Sequence, residues 1–254
     1  MYVAEITFKQ TAGNKSQADQ GLYSLLVDWR NNGQILGSEW PIGVSTACLT
    51  LRLLVPERTA LAVVHNNKSV HRSLRYLKLC GLSRPRVRMV GRDLESLSLD
   101  SCRRRKAYIL TTSHLTLESP LQCGDCHGMV PLYRIPQTDG HGSHNGIRYW
   151  ESLYQTLDGL WIASGAGERF AYRQLANHNS ELSMLGRGIC DKIRELTNVP
   201  TYYYLYRYHG RSLNQDRKRR CPGCGGKWLL SEPWYHYDFR CDRCLLVSEI
   251  AQDL

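Results

Sequence analysis

The sequence has no run approaching the roughly 18 consecutive apolar residues of a membrane helix, so no membrane span is expected. Its opening residues, MYVAEITFKQ, carry neither a basic n-region nor an apolar h-region, which argues against a secretory signal and for a cytoplasmic location. A P-loop, G-x-G-x-x-G, G-x-S-x-G and H-E-x-x-H are all missing. Pairs such as His144 with Asp139 stand without supporting context, so a non-catalytic protein is expected. No internal repeat of roughly 20–50 residues occurs, which argues against a solenoid. What remains is the composition of an ordinary globular chain: 254 residues, 42% hydrophobic and 22% charged. That length allows two domains, or one large domain with an appendage.

Two features stand out, a formal charge of +10 and ten cysteines. In a long chain without an export signal, paired cysteines more often hold metal than form disulfides. Cys48, Cys80, Cys102 and Cys190 are isolated and read as small packing residues. The other six form three CxxC pairs: Cys123/Cys126, Cys221/Cys224 and Cys241/Cys244.

The positive charge is local. Residues 71–106 hold 11 Lys/Arg against 3 Asp/Glu, and residues 207–227 hold 7 against 1, leaving the rest slightly acidic. Two basic zones on an acidic background point to an anionic partner. The candidate nucleic-acid contacts are Arg84, Arg86 and Arg88 on an alternating strand, Arg103, Arg104 and Arg105 in RRRK, and Arg217, Lys218, Arg219 and Arg220 in RKRR.

Hydrophobic periodicity predicts an α+β protein. Residues 2–8 alternate as a strand. Leu22, Leu25, Leu26 and Trp29 lie at helical spacing, closed by Asn32-Gly33. Residues 46–55 and 60–64 read as strands, and a helix follows with Ser69 as N-cap and Gly81 as stop. Residues 84–89 then place arginines on one face and Val87 and Met89 on the other. This order suggests a ferredoxin-like α/β domain over residues 1–107. A mixed region over 108–208 follows, with strands at 108–112 and 130–135 and a polar loop, TDGHGSHNG. Its helices are marked by Trp150, Leu153, Tyr154 and Leu157, and by Leu182, Leu185, Ile189, Ile193 and Leu196. TYYYLYRYH then forms a strand with Tyr202, Tyr204, Tyr206 and Tyr208 on one face, able to stack on unpaired bases if exposed.

Residues 209–254 read as a small zinc ribbon. Cys221-Pro-Gly-Cys224, sixteen residues and Cys241-Asp-Arg-Cys244 have the spacing that brings two tight turns onto one ion. Two residues between cysteines let both sulfurs of a turn face the metal, at about 2.3 Å per Zn–S bond. Gly225 and Gly226 supply backbone freedom after the first pair. The second pair lacks a trailing glycine and is expected to turn less regularly. Lys227, Arg240 and Arg243 are placed to offset the thiolate charge. A closed four-cysteine site is structural rather than catalytic.

Cys123-Gly-Asp-Cys126-His127 has several readings. Haem attachment requires export, and a thioredoxin-like pair requires a helix that Gly128 and Pro131 interrupt. Cys123 and Cys126 with His141 and His144 make a ligand-like candidate second metal set. A plain β-turn with unmetallated thiols is the other alternative.

The stretches LQCGDCHGMVPLYRIP, GERFAYRQL, NVPTYYYLYRYHGRSL and CPGCGGKW…FRCDRCLLVS together resemble a bacterial family of zinc-ribbon-containing proteins of unknown function, described as nucleic-acid-binding candidates. The resemblance covers mainly residues 120–250. It implies Cys221, Cys224, Cys241 and Cys244 as zinc ligands. A more distant likeness, through the paired CxxC motifs, is to bacterial immunity proteins that neutralise a toxin. The expected partner is therefore nucleic acid, RNA or a single strand above all. The alternative is an acidic protein such as a toxin.

Overall fold

In the computed structural model, residues 1–11, 15–94, 98–140 and 142–254 are described. They group into two compact units. The first comprises Met1–Ser101, Leu117–Ser119 and Gly128–Asn145; the second comprises Cys102–Thr116, Pro120–His127 and Gly146–Leu254. Among the described residues, no helix is long and apolar enough to cross a membrane.

The first unit runs β1 (Tyr2–Lys9), α1 (Lys15–Asn32), β2 (Ile42–Val44), β3 (Cys48–Val55), α2 (Lys68–Leu79) and β4 (Arg86–Arg92). The sheet order is β2-β3-β1-β4, and every pairing is antiparallel. That is the ferredoxin-like arrangement the element order suggested. Ala4, Ile6 and Phe8 of β1 and Leu49, Leu51, Leu53 and Val55 of β3 face one way. They pack on Leu22, Leu25, Leu26 and Trp29 of α1 and on Val70 and Leu77 of α2. The helices thus cover one face only, and polar residues occupy the other. There Glu5 accepts hydrogen bonds from Arg88 Nη2 at 2.7 Å and Arg52 Nε at 3.3 Å. The Arg88 guanidinium, helped by Arg52, holds the Glu5 carboxyl below its usual range.

Three local expectations are corrected in this unit. Residues 60–64 form no strand: Val63–His65 is a 3-10 turn, with Val63 and Val64 exposed. The cap of α2 is Asn67, whose side chain accepts from the Val70 amide at 2.9 Å. Residues 130–135 likewise hold a 3-10 turn, Leu132–Arg134, after Pro131.

The second unit carries β5 (Tyr108–Leu110), β6 (Leu121–Cys123), α3 (Asn145–Ile162), α4 (Glu168–Ala176), α5 (Glu181–Thr197) and β7 (Thr201–Tyr204). It continues with α6 (Leu213–Arg217), β8 (Leu229–Trp234), β9 (Tyr237–Cys241) and β10 (Leu246–Ser248). One six-stranded sheet, β6-β5-β7-β10-β9-β8, joins them all. β7 pairs in parallel with both β5 and β10. The sheet therefore runs straight across the expected boundary at 208/209. The cysteine hairpin forms one end of the sheet and shares its core.

Tyr203 packs with Trp150 and Tyr154 of α3, while Tyr202 and Tyr204 turn to the other face with Ile109, Tyr237 and Val247. All four residues of β7 are buried. Its tyrosines are a sheet core and offer no stacking platform. α5 can approach this closely because residue 186 is glycine: a Cβ there would sit 2.3 Å from the Tyr203 ring and 2.7 Å from Trp150 Nε1.

Candidate metal centre

The cysteine hairpin is anchored from its N-terminal side. Ser212 caps α6 by accepting from the Gln215 amide. Asp216, buried in α6, accepts from Arg207 Nη2 at 2.7 Å and from the Ala251 amide at 2.9 Å. This ties the approach to Cys221 onto the strand region after β10.

Cys221 and Cys224 lie on one turn, and Cys241 and Cys244 on another. The first turn is closed by Gly225 N–H donating to Cys221 O at 2.8 Å, with Gly225 at φ 69°. The second, at the end of β9, sets Leu245 at φ 50°. Without a glycine there, Leu245 takes the left-handed conformation itself, at some steric cost. Gly223 is needed for a different reason, since a Cβ there would lie 2.9 Å from Cys244 Sγ.

The four sulfurs all lie within 4.8 Å of one another, with Cys224 and Cys241 Sγ 3.6 Å apart. The Gly226 amide draws the Cys224 thiol down to about 7, whereas burial pushes the Cys241 and Cys244 thiols up. Four adjacent sulfurs cannot all ionise without a compensating cation. The donor set therefore fits a soft metal ion in tetrahedral coordination.

Nearby cations divide by role. Arg219 is not a surface group. Its guanidinium lies 3.8 Å from the Phe239 ring centre and donates to Ser248 Oγ at 2.9 Å and Glu249 O at 2.7 Å. Burial lowers its pKa to about 10. Arg240 is likewise engaged, donating to Tyr202 OH at 2.8 Å and lying over Trp234. Arg217, Lys218, Arg220 and Lys227 are exposed. With Arg219, Trp228 and Leu229 they line a cleft of about 440 Å³ beside the first cysteine turn.

A second group lies in the same unit. The sulfurs of Cys102, Cys123 and Cys126 come within 4.8 Å of one another. Cys102, expected as a packing residue, is brought to the CxxC turn by the segment leading into β5. Of the histidines expected there, His141 lies outside the described residues. His144 belongs to the first unit, where its Nδ1 is 3.2 Å from Thr138 Oγ1. Asp139 does not pair with His144 either; it accepts from the Ser143 and Asn145 amides at the start of α3. Arg84, Arg86 and Arg88 are exposed on the first unit, Arg88 being held by Glu5. Arg103 and Arg104 are exposed and Arg105 half-buried on the second.

Comparison with known proteins gives matches along almost the whole chain. An uncharacterized protein of Haemophilus influenzae is 32% identical over 258 residues, covering 99% of this chain and 98% of that protein. The chain belongs to its family. A second uncharacterized protein of the same organism is 33% identical over 173 residues, 68% of this chain and 85% of that protein. Three family models, each described as a domain of unknown function, match in succession: DUF8589 over residues 1–91, DUF2310 over 102–206 and DUF8594 over 210–254. No solved structure matches the chain.

Proposed function

We propose that Cys221, Cys224, Cys241 and Cys244 form a structural zinc ribbon. On this reading the protein is a cytoplasmic, non-catalytic binder of nucleic acid, with RNA or other single strands favoured. Zinc bound by four thiolates keeps no open position, so it supplies folding energy and rigidity. The supporting observation is the cleft of about 440 Å³ rimmed by Arg217, Lys218, Arg220 and Lys227. Four exposed cations around one concavity suit a run of phosphates, and Leu229 offers an apolar edge to a base. A concave site of this size receives an unpaired nucleotide better than the convex surface of a duplex.

The test is binding of single- and double-stranded RNA and DNA across a salt series. Four phosphate contacts to a single strand should weaken binding on the order of 50-fold between about 50 and 200 mM salt. Replacing Arg217, Lys218 and Arg220 together by alanine should lower the slope of log K against log salt by about 2. Failure to find salt-sensitive binding to any of the four would defeat the reading. Nuclease-insensitive recovery of one acidic protein at fixed stoichiometry would instead favour a toxin-neutralising role.

A further inference from the structure

We propose that Cys102, Cys123 and Cys126 form a second metal site, binding a soft divalent ion such as zinc through three thiolates. This inference is independent of the nucleic-acid reading. Three sulfurs from two separate segments, the approach to β5 and the end of β6, come within 4.8 Å of one another. Three thiolates and a divalent ion fill three of four tetrahedral positions; an oxygen donor suits the fourth.

A second observation is the shape of the turn. In the four-cysteine centre, the residue after each CxxC is left-handed: Gly225 at φ 69° and Leu245 at φ 50°. His127, after Cys126, stands at φ 57°. Its N–H donates to Cys123 O at 2.9 Å, as Gly225 N–H does to Cys221 O at 2.8 Å. A left-handed histidine costs roughly 1–2 kcal/mol, and the shape it gives is the one the first turn of the four-cysteine centre takes.

The turn is held in place before any ion arrives. Trp234 Nε1 donates to Gly124 O at 2.8 Å, and Gly124 N–H donates to Ala107 O at 2.9 Å. The Lys106 amide donates to Asp125 Oδ2 at 2.7 Å, and the His127 ring stacks on Tyr235 with centres 4.3 Å apart. Such preorganisation reduces the entropy lost on binding. Three thiolates around a divalent ion leave one net negative charge, and Arg103, Arg104, Arg105 and Lys106 follow Cys102 directly. The basic run thereby acquires a local electrostatic purpose.

The experiment is metal and thiol analysis of the full chain purified without chelator. The expected result is about two zinc ions per chain, falling to about one in Cys102→Ser, in Cys126→Ser and in Cys221→Ser. Cys102→Ser/Cys221→Ser should hold about none. A wild-type chain with about one zinc, lost entirely in Cys221→Ser and kept in Cys102→Ser and Cys126→Ser, overturns the proposal. Thiol reactivity provides a check that needs no variant. Cys126 is exposed, yet in the metal-bound protein it should react with a thiol reagent only after a chelator is added. Immediate reaction of Cys126 in freshly purified protein, or a disulfide among these three cysteines in the mass spectrum, counts against the site.

Discussion

Arg219 and Arg220 are neighbours in one basic run, and the fold gives them opposite work. Arg219 packs over Phe239 and Trp228 and donates to Ser248 and Glu249. Arg220 stays exposed on the rim of the cleft. Arg219→Ala should therefore destabilise the second unit by roughly 2–4 kcal/mol, through lost cation–π packing and orphaned acceptors. Arg220→Ala should shift stability by less than about 0.5 kcal/mol while weakening binding to an anionic strand. Urea denaturation of both variants, beside the salt-series binding measurement, separates the two effects. The sequence presents both as equivalent charges, because burial is decided by Trp228, just before β8, and by Phe239 of β9, both later in the chain. Cys102 illustrates the same limit. The CxxC spacings are legible because a turn is local, whereas a single cysteine more than twenty residues from its partners carries no spacing signal.

Among the elements, β7 shows why period-two reasoning succeeds on β1 and fails here. β1 has helices on one face only, so buried and polar residues alternate and its orientation can be read directly. β7 lies between two parallel neighbours with both faces covered, so all four of its residues are buried and no in-out alternation appears. Helices α3 and α5 are legible from their periodicity; the structure adds the cap of α5, Ser180, which accepts from the Ser183 amide. What periodicity could not show is how closely α5 lies on the sheet. Gly186→Ala would press a methyl group against Tyr203 and Trp150. It should cost about 1–3 kcal/mol as overpacking, measured as a lower denaturation midpoint. Gly188, on the same helix with open space around it, is the control: Gly188→Ala should be neutral or slightly stabilising.

For the molecule as a whole, the two units should respond differently to loss of metal. Chelation should raise amide hydrogen exchange in β8, β9 and β10 and, through the shared sheet, in β7, while β1 to β4 keep their protection. Equal loss of protection in β1 to β4 would contradict two separate cores. The sheet order of the second unit also bears on synthesis. Residues 246–248 form β10, which lies between β7 and β9, and the β8–β9 hairpin supplies Trp234 and Tyr235 to the turn of Cys123 and Cys126. On the ribosome, residues 102–204 must therefore wait for some forty more residues before their central strand gains its second neighbour and their cysteine turn its clamp. At about 5–20 residues per second that delay is a few seconds. During it the first unit is already free to fold, while the tyrosine strand is exposed to chaperones and to premature association.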